Sequence, residues 1–451
     1  MEIRDVIHGS IALHSSELPI LDSRYFQRLR QIKQLGFAEN SFPSATHNRY
    51  IHSLGAMHTA SAAFTRIFAG PVFKSSRKHE GISRFKPVVR LASLLHDIGH
   101  GPLSHTTEFA MPEVSKLKLP DWVPAGADRK ATHEDYTLKI ILDSGLTPFI
   151  EKAGKEFGFG PKHVAALIEN SIPVDDDFFT EELDGENFDF RPILSQLISS
   201  ELDADRMDYL RRDSRYAGVS YGEFDFDWLL GNLTCHLSKN KVYLALQHRA
   251  LYSFEDFLIS RFHMFLMVYF HYKSVIFDKM LGEYFKNPDC DYSLPADVEK
   301  YADCNDAHLY AHLAKSDNAW AKRITERKPY RMLVELHSGV PATKTAASEQ
   351  ESLLAKIEKD LTSQKVHFLI ATSTGSLSKY AGNKKSAPIF VRYDNHYSAP
   401  NFIPLEQCTD LFQRYSEKRS ITRLYVSPED YPQCRNQGRE TPLRYEEESN
   451  L

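Results

Sequence analysis

The stretch Leu91-Ala-Ser-Leu-Leu-His-Asp-Ile-Gly-His100 sets an imidazole and a carboxylate side by side at the end of an apolar run. His96 and Asp97 are good ligands for a hard-to-borderline divalent cation. Alone the pair carries little weight, because adjacent His and Asp are common. Other residues add to it. His52 lies early in a helical pattern, with Arg49 three residues before it. His100, His105, Glu108 and His133 follow the pair, close to glycine turns that favour a cavity over a packed core. Asp205, Asp208 and Tyr209 fall on one helical face, and Asp213 lies a turn beyond. Each has an ordinary alternative. A single helical histidine is usually structural, and carboxylates beside Arg206, Arg211 and Arg212 can be surface ion pairs. Met207 and Leu210 continue a buried stripe, however, and draw some of those carboxylates inward.

The elements that must position these residues are mostly helical in pattern. Ile3 to Ser16 suits a small hairpin. Asp22 to Leu35 has Phe26, Leu29, Ile32 and Leu35 at helical spacing, with Gly36 as its stop. A Pro-containing loop then feeds a helix running through Phe68. A basic loop between Gly70 and Phe85 precedes the helix that ends in the His-Asp pair. Lys116 to Ala131 reads as a surface loop, and helices are expected at 133–144, 161–171 and 193–213. Asp175 to Asp189 has acidic residues broken by aromatics and no basic one, which reads as a solvated insertion. Arg261 to His271 is aromatic throughout, with core packing as an equally good account. After about Tyr292, helices at 308–325 and 348–362 mix with strands at 366–371, 388–393 and 421–426. Gly375 to Ser386 is a polar loop, and Tyr431 to Leu451 is polar enough to be mobile.

At 451 residues the chain exceeds one ordinary domain. Its 42% hydrophobic and 25% charged content fits a soluble globular protein. No apolar run reaches the roughly 20 residues that span a bilayer, and Met-Glu-Ile-Arg-Asp is no signal peptide. Cys235, Cys290, Cys304, Cys408 and Cys434 are odd in number and widely spaced, which suits free thiols and a cytoplasmic setting. The net charge of -5 argues against a protein that coats nucleic acid, while leaving a locally basic pocket for an anion and nucleic acid as a partner open.

Five pieces of text, in order, give a resemblance: Phe26-Gln-Arg-Leu-Arg, Ile32-Lys-Gln-Leu-Gly, His47-Asn-Arg-Tyr-Ile-His-Ser-Leu-Gly, Leu95-His-Asp-Ile-Gly-His-Gly-Pro-Leu-Ser-His and Asp205-Arg-Met-Asp-Tyr. Together they resemble the HD-domain superfamily, and closely its SAM-and-HD-domain type of deoxynucleoside triphosphate triphosphohydrolase. The ordered H…HD…D set is a superfamily signal, and His-Gly-Pro-x-Ser-His with His-Asn-Arg is far more specific. The resemblance implies a mainly α fold, with a helical HD core over 1–290 and a smaller α+β C-terminal lobe with a polar tail over 291–451. It implies a divalent metal (Fe, Mn, Mg, Ni or Zn) on His52, His96, Asp97 and Asp205. Arg49 and Arg206 would grip phosphate, Arg206 standing where the family has Lys. His100, His105, Glu108 and His133 would form an acid/base cluster, with Glu108 in place of the family's Asp. Gln34 and Leu35 would line the sugar, Asp213 would accept from the 3′-hydroxyl, and Tyr209 and Tyr269 would crowd the 2′ position.

The implied reaction is hydrolysis of a dNTP to deoxynucleoside and inorganic triphosphate. The alternatives are another HD phosphohydrolase reaction on nucleoside mono- or polyphosphates or oligonucleotides, and a nucleotide sensor with a vestigial site. Asp22, Gln27 and Arg30 match family positions that hold an activating guanine nucleotide between subunits of a dimer or tetramer. A plain helix cap and exposed ion pair explain the same three residues.

Overall fold

A computed structural model describes residues 1–70, 73, 79–123, 129–338, 344–375, 387–395, 397–414 and 419–435. The helix at its centre, α1 (Arg49–Phe68), starts where the Asn48 side chain accepts from the Ile51 N–H and frees the chain to turn. It packs against α2 (Phe85–Leu95), and also against α5 (Ala204–Ala217). Around these lie α3 (His133–Leu142) and α4 (Arg191–Ile198). Farther along come α6 (Leu251–Met264), α7 (Tyr272–Lys286) and α8 (Asp306–Lys315). One large hydrophobic cluster runs through all of them, from Ile11 to Tyr425.

Two helical expectations break at specific residues. The pattern over 22–35 is helical only from Arg24 to Gln31; Ile32 is extended, and Lys33 bridges to Asn48. Gln34 and Leu35 therefore lie on a loop. The pattern over 193–213 is two helices, because Asp203 caps α5 by accepting from the Arg206 N–H.

The mainly α expectation is overturned: the protein is 51% helix and 17% strand, with three sheets. β1 (Glu2–Asp5) and β2 (Gly9–Ala12) form a hairpin. A six-stranded sheet inside the core region runs β10-β9-β6-β4-β3, with β5 paired to β6. Its strands are β3 (Thr180–Leu183), β4 (Glu186–Asp189), β5 (Leu233–Ser238), β6 (Lys241–Gln247), β9 (Phe390–Tyr393) and β10 (Asn401–Pro404). The third sheet is β7 (Arg331–Ser338), β11 (Arg419–Val426) and β8 (Phe368–Gly375), in that order.

The acidic run folds into the β3–β4 hairpin because its aromatics have a core to enter. Phe178 and Phe179 are buried against Phe85, and Arg84 meets Glu181 at 2.6 Å. The β5–β6 hairpin turns at Lys239 and Asn240, both at positive φ (50° and 58°), as the tightest hairpin turn requires. The helical periodicity of the chain signals neither hairpin.

The segment after 290 divides its packing. β9 and β10 join the main sheet, whereas β7, β8 and β11 share a small cluster (Val334, Ile357, Leu361, Val366, Leu424) with α9 (Lys344–Ser363). The basic loop around 74–78, most of the polar loop to Ser386 and the tail from 436 lie outside the described residues. No helix among the described residues is long and apolar enough to cross a membrane, and the five cysteines are free.

Candidate active site

Three helices converge on one point. α1 supplies His52 in its first turn, α2 ends just before His96 and Asp97, and α5 supplies Asp205 in its first turn. His96 Nδ1 lies 2.7 Å from the Ser93 carbonyl, and His52 Nδ1 lies 2.9 Å from Asp208 Oδ2. An acceptor at Nδ1 keeps the proton there and leaves Nε2 with its lone pair outward. Both Nε2 atoms are buried without a hydrogen bond. His52 Nε2 is 3.0 Å from Asp205 Oδ1 and 3.6 Å from Asp97 Oδ2. His96 Nε2 is 3.5 Å from Asp205 Oδ1 and 3.4 Å from Asp97 Oδ1. Buried imidazole nitrogens left without partners are uncommon, and here both face the same two carboxylates. Two nitrogens and two carboxylates converging in this way are a donor set that fits a divalent cation.

The electrostatics agree. Burial opposes protonation of His52, but Asp205 and Asp208 at its two ring nitrogens outweigh it and push its pKa to about 10. Without a cation the two carboxylates draw a proton onto the ring, and a metal ion taking the same place would displace it. Burial likewise works against the Asp97 carboxylate, yet Arg49, His96 and His100 hold it well below the usual range.

Behind His52 lies a buried network of charged side chains. Asp208 accepts from Arg212 Nε at 2.8 Å and meets His8 Nε2 at 2.6 Å, and Arg212 also reaches Asp5 at 2.7 Å. The β1–β2 hairpin therefore braces His52 through Asp208. Gly55 makes this approach possible, since a Cβ there would lie 2.0 Å from Asp208 Oδ1 and 2.3 Å from Arg212 Nη2.

Beside this group stands a second. His100 and His133 stack with centroids 3.9 Å apart, and His105 meets both edge-on at 4.9 and 4.8 Å. Glu108 Oε1 lies 2.6 Å from His133 Nδ1 and 3.3 Å from His105 Nδ1. Burial opposes the Glu108 charge, but the two imidazoles prevail and lower its pKa to about 2. Burial, and then Arg49, hold His100 well below the ordinary histidine range, so its ring is neutral. His100 Nε2, 3.2 Å from Asp97 Oδ1, links the two groups.

A cavity of about 430 Å³ opens over both. Asp97, Asp205, His100, His105, His133, Arg49, Gln34, Leu35, Tyr209, Asp213 and Tyr269 all line it, and His52, His96 and Glu108 are not among its lining residues. Arg49 pairs with Asp97 through Nη1 and donates from Nε to Ser104 Oγ at 2.9 Å. Asp213 accepts from the Tyr269 hydroxyl at 2.7 Å and meets His47 Nε2 at 2.7 Å. Tyr269 reaches the cavity because α6 continues into a π turn over Phe265–Tyr269, closed by Phe270 N–H to Phe265 C=O at 2.9 Å.

Not all the expected residues join. Arg206 is not among the cavity residues; its Nη1 lies 3.5 Å from Asp203 and 3.7 Å from Glu201, which Arg261 also meets at 3.1 Å. Asp22, Gln27 and Arg30 lie off the cavity too. Gln27 donates to the Leu21 carbonyl at 2.7 Å and accepts from Arg30 Nε at 2.8 Å, and the Arg30 guanidinium lies 3.7 Å over the Tyr50 ring.

Sequence reading missed Asp208 as the partner of His52, as well as His8, His47 and Asp306. Asp306 accepts from the backbone N–H of Leu103 at 2.7 Å and of Lys33 at 3.0 Å. It thereby holds the turn at Leu103 and Ser104, whose φ of 53° and 61° are strained for side chains with a Cβ. Gly-Pro-Leu-Ser was the only local signal, and the residue that holds the turn lies some two hundred positions away.

Comparison with known proteins adds the family. Residues 224–366 match the model of an HD-associated region. An uncharacterised protein of Methanocaldococcus jannaschii is 30% identical over 332 residues, covering 74% of this chain and 59% of that protein. The deoxynucleoside triphosphate triphosphohydrolase SAMHD1 of Homo sapiens is 29% identical over 308 residues, covering 64% and 45%. The chain spans about half the length of these relatives. A crystal structure of a hypothetical protein from Aquifex aeolicus superposes with a TM-score of 0.70 at 27% identity, covering 97% of this chain and 99% of that one.

Proposed function

From the premise that the chain belongs to an HD-domain, dNTPase-like family, we propose that it is a metal-dependent phosphohydrolase whose substrate is a deoxynucleoside triphosphate. The observation that carries the proposal is the pair of orphaned imidazole nitrogens facing Asp97 and Asp205 at the floor of a cavity with a histidine cluster beside it. In this reading His52, His96, Asp97 and Asp205 hold the cation. When bound, it supplies Lewis-acid polarisation of a phosphoryl oxygen. Arg49 orients phosphate through its planar donor fork. His105 and His133, tied to Glu108, move a proton at the leaving oxygen, while neutral His100 bridges them to Asp97. Tyr209 and Tyr269 close the space beside the sugar, and Asp213 accepts from its 3′-hydroxyl. An added 2′-hydroxyl would then clash or lose its partners, which favours deoxyribose.

Residues 1–290 carry this chemistry, and 291–451 support it through Asp306. A nucleotide effector at Asp22, Gln27 and Arg30 of a homo-oligomer belongs to the same proposal. It requires that Asp22→Ala remove activation by added guanine nucleotide while sparing basal turnover.

The placement of Arg206 favours a second reading, hydrolysis of a nucleotide with fewer phosphates by another HD reaction. With Arg206 held by Asp203 and Glu201, Arg49 is the one arginine of the expected phosphate grip at the cavity wall. Turnover of nucleoside mono-, di- and triphosphates in water labelled with heavy oxygen separates the two. Label in released triphosphate supports the first reading. Turnover of mono- or diphosphates alone supports the second, and pyrophosphate with a nucleoside monophosphate would overturn the first.

A further inference from the structure

Asp278, on α7, also lines the cavity, and the chemistry above does not use it. Its Oδ1 accepts from the Thr106 hydroxyl at 2.7 Å, and no other hydrogen bond or ion pair of this carboxyl is formed among the described residues. Burial pushes the carboxyl up to about 6. Asp306 shows how this chain treats a buried carboxylate that holds a turn in place, since each of its oxygens receives a backbone N–H. Asp278 has one hydroxyl and an Oδ2 left over, beside open space. A half-buried carboxylate with an oxygen left over at a cavity wall is placed to accept from whatever enters.

The entrant cannot place phosphate there. A polyphosphate needs the arginine and the cation, and a carboxylate repels further negative charge. Under the proposed function, the sugar faces Tyr209, Asp213 and Tyr269. What remains for Asp278 is the base. A carboxylate accepts from two parallel N–H groups at once, and only guanine offers such a pair on its pairing edge, N1–H and the 2-amino group. Adenine and cytosine pair one donor with an acceptor. Thymine flanks its single N–H with two carbonyl oxygens, which would face the carboxylate.

We propose that Asp278, positioned by Thr106, is a base-reading residue that selects guanine nucleotides. The inference rests on the nucleotide reading of the cavity but not on which bond is cleaved. It is tested by titrating the metal-loaded full chain with the α,β-imido analogues of dGTP, dITP (which lacks the 2-amino group) and dTTP, which resist cleavage. The expected order is dGTP, then dITP, then dTTP, with about 10- to 100-fold between first and last, the scale of hydrogen bonds to a charged group. Asp278→Asn, nearly isosteric, should abolish that spread while leaving dTTP affinity close to the parent, and Asp278→Glu should keep the order. Equal affinities in the parent, no binding of any of the three, or an equal loss for all three in Asp278→Asn would overturn the proposal. Selective binding by a chain that, loaded with metal, turns over none of the three unmodified triphosphates would leave Asp278 in place and remove the dNTPase reading instead.

Discussion

Around Asp97 and Asp205, two imidazoles spend Nδ1 on an acceptor each and turn a bare Nε2 toward shared carboxylates. Around Glu108, two imidazoles spend Nδ1 on the same carboxylate oxygen and all three rings pack against one another. Both groups bring three ligand atoms within 4.8 Å, so proximity does not distinguish them. The wiring does. The first group is braced from behind by Asp208, Arg212 and Ser93 and has lone pairs to give; the second is half-open, with His105 exposed and a carboxylate that can share a proton with two rings. The comparison supports the proposal that the first group takes the cation and the second moves the proton.

The largest test of that division removes a ligand. His96→Ala or Asp205→Ala should leave a folded protein that loses metal and activity together, seen by elemental analysis and turnover side by side. Full metal content with full turnover in either variant would refute the assignment. The next divides the groups. His105→Ala should lower kcat by about 10²- to 10⁴-fold, the usual worth of a general acid or base, with metal content unchanged. Loss of metal in that variant would merge the two groups into one site.

A smaller effect is expected behind the ligands. Asp208→Asn should weaken metal affinity by about 10- to 100-fold, as outer-shell carboxylates do, measured by competition with a chelator. No change would mean that Ser93 and the packing of α1 suffice to aim the rings.

How much of this was legible in sequence follows from distance along the chain. His96 and Asp97 announce themselves as neighbours, and His52 and Asp205 follow from the order of the motifs. Tyr269, in a segment rich in aromatics, reaches the cavity through a π turn that periodicity cannot express. Asp208 was visible as a helix carboxylate, but its partners His52 and His8 lie 156 and 200 residues away. Arg206 had the right neighbours in sequence and the wrong ones in space, because Glu201 and Asp203 gather at the same helix start. The strands were missed where charge hid them. Eight acidic residues between Asp175 and Asp189 mask four phenylalanines that do the packing, counting Phe190 just beyond with Phe178, Phe179 and Phe188.

The smallest effect concerns Glu108. Its folded pKa, about 2, lies below the ordinary 4.5. Its stabilisation is therefore fully present above pH 4.5 and lost as pH falls through about 2. Glu108→Gln should be less stable than the parent near neutrality, and the difference should fade between those limits, as followed by urea unfolding. A difference independent of pH would mean that Glu108 acts by shape rather than charge.

The most direct test of the central claim is X-ray absorption at the edge of the metal in the loaded protein, read with anomalous diffraction from crystals. The account predicts one ion with two imidazole nitrogens and carboxylate oxygens, between His52, His96, Asp97 and Asp205. An ion held by three imidazoles, at His100, His105 and His133, would contradict it.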